Sequence, residues 1–301
     1  MSAAPESHRC GTIAIVGRPN VGKSSLLNAL VGEKISITSD KPQTTRHRVA
    51  GVLTRPDAQF VFVDTPGFQT RHGGALNRVL NRTVREVLES VDVVILVVAA
   101  GEFGADDEAV VKLLPTSVPA LLVVNKADRM RRPEDMLPFL ERTSKAFAFA
   151  ETVPVSATKR SNLAELLKTL VRYLPEQPPL YDVDALTDRN ERFLAAEYIR
   201  EKLFRLLGEE IPYGCAVTID EFKVEGRLRR IGASIVVDKE NHKAIIIGRG
   251  GEKLKAIATG ARKDMEKLFG DKVFLEIWVK VRKGWAEDAA GLRKFGVDET
   301  T

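Results

Sequence analysis

Short apolar runs alternate with amphipathic stretches along residues 1–174. The apolar runs, which we predict to be strands, are Thr12–Val16, Val49–Leu53, Phe60–Val63, Val91–Ala99, Ala120–Val124 and Thr152–Val155. The stretches between them that predict helices include Lys23–Leu30, Ala105–Leu114 and Leu163–Leu174. Strands that alternate with helices indicate an α/β fold with a doubly wound, mostly parallel sheet. The short turn around Pro56-Asp57 predicts that the second and third strands form an antiparallel hairpin.

The pattern changes at residues 175–179, where three prolines in five residues favour an extended linker. Beyond it the pattern predicts helix, strand, strand, helix, helix and strand, in an α+β arrangement. These elements are Asp188–Leu207, Ala216–Val224, Ile231–Val237, Lys243–Ile247, Glu252–Leu268 and Val273–Val281. We therefore predict a first domain at 10–174, a linker at 175–187 and a second domain at 188–296.

Composition and charge narrow the function classes. Two cysteines in 301 residues exclude a disulfide framework and a cysteine-rich metal site, and they fit the reducing cytoplasm. The longest apolar run is too short to span a bilayer, and the first ten residues lack the apolar stretch of a secretory signal. The net charge of +5 is uneven: residues 175–222 carry −6 and residues 223–294 carry +8. The basic stretch fits an anionic partner such as nucleic acid, or an ordinary solvated surface.

The segment Gly17–Ser24 matches the phosphate-binding pattern G-x-x-x-x-G-K-[ST], directly between a predicted strand and a predicted helix. Its glycines let backbone N–H groups surround phosphates, and the helix N-terminus adds positive potential. We expect Lys23 to neutralise the β- and γ-phosphates and Ser24 to bind Mg²⁺. The predicted nucleotide-binding residues here are Gly17, Arg18, Pro19, Asn20, Val21, Gly22, Lys23, Ser24 and Ser25.

Three more motifs follow strands in the order a guanine-nucleotide site requires. The first consists of Asp64, Thr65, Pro66 and Gly67, where the aspartate would hold Mg²⁺ and the Gly67 N–H would reach the γ-phosphate. The second contains Asn125, Lys126 and Asp128; the Asp128 carboxylate can accept from both guanine donors, which adenine lacks, and this favours GTP over ATP. The third, which would close over the base, consists of Ser156, Ala157 and Thr158.

The long polar segment Ile35–Arg48 has no clear period, and a loop of this length in a compact domain is usually functional. A threonine hydroxyl in it could bind Mg²⁺ only while the γ-phosphate is present, which would make the loop a switch. Thr44 and Thr45 are both candidates, and we prefer Thr45. We expect Phe68–Leu80 to be a second mobile region because Gly73-Gly74 lies within it.

Together, GRPNVGKSSLLNAL, QTTRHR, DTPGF, NKAD and SAT resemble the Era family of bacterial ribosome-assembly GTPases. The segment from Ile245 to Trp285 resembles the type II KH domain of that family, and the likeness covers residues 10–296. The resemblance implies a P-loop GTPase domain followed by a KH domain, GTP hydrolysis, and GTP/GDP and Mg²⁺ as cofactors. It also implies binding to the 3′ end of 16S ribosomal RNA, a role in 30S subunit maturation, a monomer, and a loose association with the inner membrane.

Two residues bear on the hydrolysis rate. Phe68 stands where Ras-like GTPases keep a water-orienting glutamine, so we expect slow intrinsic hydrolysis. Asn20 resembles the asparagine with which some related GTPases hold K⁺, although it could equally just stabilise the loop. In this picture Lys23, Thr45 and Gly67 are the catalytic residues, and Ser24, Thr45 and Asp64 are the metal ligands.

The Gly248–Gly251 segment fits the KH loop that clamps the backbone of unpaired RNA. The predicted RNA-binding residues are Ile247, Gly248, Arg249, Gly250, Gly251, Lys253, Lys255 and Arg282. Further basic residues that could meet phosphates, or be ordinary surface charges, are Arg229, Arg230, Arg262, Lys263, Lys280 and Lys283. We expect Trp278 to pack, while Trp285 could stack on a base. A non-hydrolysing RNA chaperone and a P-loop kinase are the alternative functions.

Overall fold

The computed structural model describes residues 8–69, 75–130, 132–208 and 211–284. These residues form two compact units. The first contains the described residues of Met1–Ser36, Thr45–Gly73 and Leu80–Asp188, and the second those of Ile37–Thr44, Gly74–Val79 and Arg189–Thr301. The domain boundaries at 174 and 188 stay a prediction.

The first unit is built on a six-stranded sheet. Its strands are β1 (Arg9–Val16), β2 (Val49–Thr54), β3 (Ala58–Asp64), β4 (Val93–Ala99), β5 (Ala120–Asn125) and β6 (Glu151–Pro154), in the order β2-β3-β1-β4-β5-β6. β2 and β3 pair antiparallel with Val49 opposite Asp64, and the other pairs are parallel. The predicted hairpin and the mostly parallel sheet are both confirmed.

Helices cover both faces of this sheet. They are α1 (Lys23–Val31), α2 (Ala75–Leu88), α3 (Ala105–Val111), α4 (Met136–Ser144) and α5 (Leu163–Val171). Alternate residues of a strand point to opposite faces, so Ile13 and Ile15 enter one apolar cluster and Ala14 and Val16 the other. The first cluster includes residues of α1 and α5, and the second includes residues of α2, α3 and α4. α2 begins inside the segment Phe68–Leu80 that we expected to be mobile, whereas residues 70–74 lie outside the described chain.

Residues 175–188 hydrogen-bond along the first unit. The Cys10 N–H donates to the Pro175 carbonyl at 3.0 Å, and the Val52 N–H on the edge strand β2 donates to the Leu186 carbonyl at 2.9 Å. Gln59, fully buried on β3, accepts two backbone N–H groups of this segment at 2.8 and 2.9 Å. This segment is therefore held to the first unit at Pro175, Leu180, Tyr181 and Leu186, and it contains a turn at Val183-Asp184.

The second unit follows the predicted order of elements. It contains α6 (Glu191–Leu206), β7 (Cys215–Glu225), β8 (Leu228–Val237), α7 (Glu240–Ile247), α8 (Glu252–Phe269) and β9 (Lys272–Val281). The sheet order is β7-β8-β9, with β7 antiparallel and β9 parallel to β8. The Asn190 side chain begins α6 by accepting the Phe193 N–H at 2.9 Å. Ile199, Leu203 and Met265 are fully buried between the helices and the sheet.

Part of the long polar loop belongs to this second unit. Ile37 is 2% exposed and lies in the same apolar cluster as α6. The Thr38 N–H donates to the carboxylate of Glu201 at 3.0 Å, and Arg205 donates to the Thr38 carbonyl at 3.0 Å. Ile37 and Thr38 are thus held by apolar and charged contacts with α6.

We expected Trp278 to pack, and it does so only in part. On β9 the buried and half-buried Val273, Leu275 and Ile277 face the helices, so Trp278 lies on the opposite face with 49% exposure. Its ring contacts the neighbouring strand where Gly232 leaves room for it. No helix of the described residues is both long and apolar enough to cross a membrane.

Candidate functional site

The loop from Gly17 to Ser24 connects β1 to α1 and is shaped by close backbone contacts. Gly22 has φ +96°, and a Cβ there would lie 2.4 Å from the Asn125 side-chain nitrogen. A Cβ at Gly67 would lie 2.8 Å from the backbone of Pro19. Glycine is therefore required at both positions, and the strand-end motifs predicted from the sequence meet at one edge of the sheet.

Lys23 begins α1 with its side chain buried. Its ammonium donates to the carbonyls of Gly17 and Arg18, both at 3.0 Å. Burial lowers the pKa of Lys23 to about 8, although the nearby Asp64 carboxylate opposes the change. A phosphate anion in the loop would strengthen the charged form of this side chain.

Asp64 ends β3 and is completely buried. Its Oδ2 accepts the Ser24 hydroxyl at 2.6 Å, and the Ser24 and Thr45 hydroxyl oxygens are 2.9 Å apart. Burial raises the pKa of Asp64, while the Ser24 hydrogen bond and the Lys23 charge lower it. Within the described chain its Oδ1 is buried without a hydrogen-bond partner. This all-oxygen set suits Mg²⁺, which usually takes one or two carboxylates and completes its shell with phosphate and water.

The two candidate threonines of the loop differ in their contacts. Thr45 lies beside Ser24, whereas the Thr44 hydroxyl donates to the Lys41 carbonyl at 2.7 Å. The geometry therefore favours Thr45 over Thr44 as the side chain that would meet a cation next to Ser24. Among the described residues no group of three or more His, Cys, Asp or Glu side chains forms a separate metal site.

The second part of the site lies at the ends of β5 and β6. Asn125 donates to the Val21 carbonyl at 2.9 Å and accepts the Ala157 N–H at 3.1 Å, which ties the phosphate loop to the Ser156–Thr158 loop. The Lys126 ammonium donates to the Asn20 carbonyl at 2.6 Å. The Ser156 hydroxyl donates to the exposed Asp128 carboxylate, which orients that carboxylate for a base.

Several predicted nucleotide-binding side chains have other contacts. The Arg18 guanidinium pairs with Asp107 at 3.1 Å and with Glu102 at 2.6 Å. The Thr65 hydroxyl donates to the Ile15 carbonyl at 2.8 Å, and Val21 is fully buried. At these three positions the backbone, rather than the side chain, is available to a ligand. Phe68 is 5% exposed and packs in the second apolar cluster, so it cannot orient a water molecule.

Sequence reasoning missed three residues around this site. Asp107 holds Arg18 and also accepts the Gly104 N–H at 3.1 Å, which caps α3. The Ser36 hydroxyl donates to Asp64, and the Asn28 side chain bonds to the Ser36 backbone. The available signal was weak: Asp107 lies in an acidic first turn, and Ser36 is a lone serine between two isoleucines.

The glycine-rich turn of the second unit lies between α7 and α8. Gly250 and Gly251 have φ +59° and +81°, and a Cβ on either would meet no atom within 4 Å. Arg249, Lys253 and Lys255 are exposed around this turn. The backbone is therefore open to close approach by an anionic strand, with positive charge beside it.

Some of the apolar and basic residues near this turn are buried or ion-paired, and others are exposed. Ile246 and Ile257 are fully buried in the core, whereas Ile245 is 40% exposed and Ile247 half-buried. Four of the further basic residues that could meet phosphates form ion pairs with carboxylates: Arg229, Arg230, Arg262 and Lys280. Arg282 is exposed at the end of β9. Trp285 lies outside the described residues.

Two family models match this chain. A family described as 50S ribosome-binding GTPase matches residues 12–126, and a KH domain family matches residues 210–286. GTPase Era of Nitrosomonas eutropha is 55% identical, over 99% of this chain and 100% of its own. GTPase Era of Chromobacterium violaceum is 57% identical, over 96% of this chain and 98% of its own.

Solved structures agree over nearly the full length. A singly substituted Aquifex aeolicus Era, bound to GDP and AlF4⁻, is 40% identical with a TM-score of 0.92, covering 96% of this chain and 99% of that one. The structure of Era in complex with MgGDPNP and nucleotides 1506–1542 of 16S ribosomal RNA matches with the same identity, TM-score and coverage. The chain, a P-loop GTPase domain followed by a KH domain, therefore belongs to the Era family and is a GTP-hydrolysing enzyme.

Proposed function

We propose that this GTPase is a nucleotide-dependent switch that binds the single-stranded 3′ end of 16S ribosomal RNA and assists assembly of the 30S subunit. The observation that carries the RNA part is the open backbone at Gly250 and Gly251, flanked by exposed Arg249, Lys253 and Lys255. The 40% identical relative solved with 16S ribosomal RNA supports the choice of RNA. Ile247 and Arg282 complete the proposed RNA-binding set.

In the proposed nucleotide site the phosphates lie against the N–H groups of Gly17–Ser24, with Lys23 neutralising the β- and γ-phosphates. The Gly67 N–H donates to the γ-phosphate. Ser24, Thr45 and Asp64 would hold Mg²⁺, which when bound offsets the charge that develops on the phosphate oxygens. Asp128 reads the two guanine donors, and Ser156–Thr158 closes over the base.

Hydrolysis in this proposal is slow without an activator, because the buried Phe68 ring stands in place of a water-orienting glutamine. Asn20 is the candidate for holding K⁺ beside the β- and γ-phosphates. Equal hydrolysis rates in K⁺ and Na⁺ would contradict that role. A monomeric state, a cytoplasmic location and a peripheral association with the inner membrane belong to the same proposal.

The test combines hydrolysis with RNA binding. GTP turnover is measured with and without a single-stranded RNA of the 16S 3′ sequence, and RNA affinity is measured in GDPNP and GDP at several salt concentrations. We expect faster turnover on RNA and tighter binding in GDPNP. An RNA affinity that is the same in GDPNP and in GDP, together with GTP turnover that RNA does not change, would favour an RNA chaperone that does not hydrolyse GTP.

Arg249→Ala tests the role of the turn Gly248–Gly251 in RNA binding. Loss of one phosphate contact should weaken RNA binding and make the negative slope of log affinity against log salt shallower by about 0.7. Lys168→Ala removes an exposed charge from α5 in the first unit and serves as the control. Equal effects of the two substitutions would contradict the assignment of the turn to RNA.

A further inference from the structure

The buried carboxylate of Asp64 has two hydroxyl partners, and only one belongs to a predicted motif. Its Oδ2 accepts the Ser24 hydroxyl at 2.6 Å and the Ser36 hydroxyl at 2.8 Å. Ser36 is 3% exposed, so this second bond is shielded from water. Hydrogen bonds to a charged acceptor are stronger than those between neutral groups.

The two bonds to one oxygen restrict the orientation of the carboxylate. A single donor would let the group turn about its Cβ–Cγ bond, whereas donors from α1 and from the loop fix Oδ2 from two directions. Oδ1 then remains without a hydrogen-bond partner within the described chain. Partners that orient a metal-binding carboxylate in this way commonly determine metal affinity.

Ser36 is itself held in place by Asn28 on α1. The Asn28 carbonyl oxygen accepts the N–H groups of Ile35 at 3.0 Å and Ser36 at 2.9 Å, and its amide nitrogen donates to the Ser36 carbonyl at 2.7 Å. One side chain thus satisfies both backbone groups of Ser36. The backbone of Ser36 is therefore fixed beside Asp64, and its hydroxyl can reach Oδ2 without any movement of the loop.

We propose that Ser36, fixed by Asn28, is a positioning residue that sets the Mg²⁺ affinity of the nucleotide site through Asp64. The proposal rests on the assignment of Ser24 and Asp64 to Mg²⁺. The chain of contacts runs from Asn28 to the Ser36 backbone, from the Ser36 hydroxyl to Asp64 Oδ2, and from Asp64 to the cation.

The test measures how Mg²⁺ retains a fluorescent GDP on the full chain. The dissociation rate of the nucleotide is followed over a Mg²⁺ series and in EDTA, for the wild type and for Ser36→Ala. We expect the half-saturating Mg²⁺ concentration to rise about tenfold in Ser36→Ala. The rate in EDTA should stay within about twofold of the wild type, because the hydroxyl acts only on the cation ligand.

Two further variants sharpen the result. Ser39→Ala removes a half-buried hydroxyl of the same loop, whose hydrogen bonds within the described chain are to its neighbours Asp40 and Lys41, and it should leave the Mg²⁺ dependence unchanged. Asn28→Ala should raise the half-saturating concentration in the same direction. If Asn28 acts through Ser36, the double substitution should cost no more than the larger single effect.

Each outcome has a distinct meaning. An unchanged Mg²⁺ dependence in Ser36→Ala, or fully additive effects of the two substitutions, would overturn the positioning role. A faster rate in EDTA with no change in half-saturating Mg²⁺ would also overturn it, since that result reports loop packing alone. If the GDP dissociation rate of the wild type does not depend on Mg²⁺, the metal site on which the inference rests is refuted.

Discussion

Asn125 joins two loops of the nucleotide site through its side chain, and it is only 2% exposed. In Asn125→Ala the Val21 carbonyl and the Ala157 N–H both lose their side-chain partner, at 2.9 and 3.1 Å. A buried polar group left unsatisfied costs about 1–3 kcal/mol. With two such groups, we therefore expect the contact between the two loops to lose about 2–6 kcal/mol.

Hydrogen exchange of the Ala157 amide in the full chain measures this loss directly. A loss of about 2–6 kcal/mol corresponds to exchange that is roughly 30–20,000 times faster, and GDP should dissociate faster as well. Asn81→Ala is the control, because the Asn81 side chain makes a similar pair of bonds to the Gln69 backbone elsewhere in the first unit. Unchanged exchange at Ala157 in Asn125→Ala would refute the bridging role.

Two further predictions concern the nucleotide. Asp128→Asn should weaken GTP binding by about 100-fold or more and improve xanthosine triphosphate binding, since an amide matches the xanthine carbonyl. Competition against labelled GDP measures both affinities. A variant that still prefers GTP would contradict the role of Asp128 in reading the base. Because burial lowers the pKa of Lys23 to about 8 and a bound phosphate raises it, GDP affinity should be full below pH 8 and fall as the pH rises toward 9. Lys23→Arg, which stays charged, should remove that slope, and a wild-type affinity that is flat from pH 7 to 9 would contradict the prediction.

Much of the fold could be predicted because the apolar pattern is regular. The buried strands of the parallel sheet form continuous apolar runs, and each functional motif directly follows one of them, so strand position and motif position support each other. The elements of the second unit could be predicted equally well, because its two long helices carry apolar residues at helical spacing. The start of α2 was harder, because Gly73-Gly74 suggested a mobile segment up to Leu80 while the helix begins at Ala75.

Side-chain partners are what the sequence could not reveal. Nothing in the pattern shows that Arg18 turns to Asp107, or that Ser36 turns to Asp64, because both contacts join residues far apart in the chain. The exposure of Trp278 could not be predicted for a related reason. An alternating strand has two faces, and only the packing of the helices decides which face is covered.

The paired backbone of residues 175–188 has a consequence for where this chain can be divided. β2 is an edge of the six-stranded sheet, and its outer N–H at Val52 is taken by Leu186. A chain cut after residue 174 would uncover that edge and the buried amide of Gln59, and an open strand edge invites pairing with a second copy. A chain that continues through Asp188 keeps the edge covered, so the soluble GTPase fragment should end at the later residue.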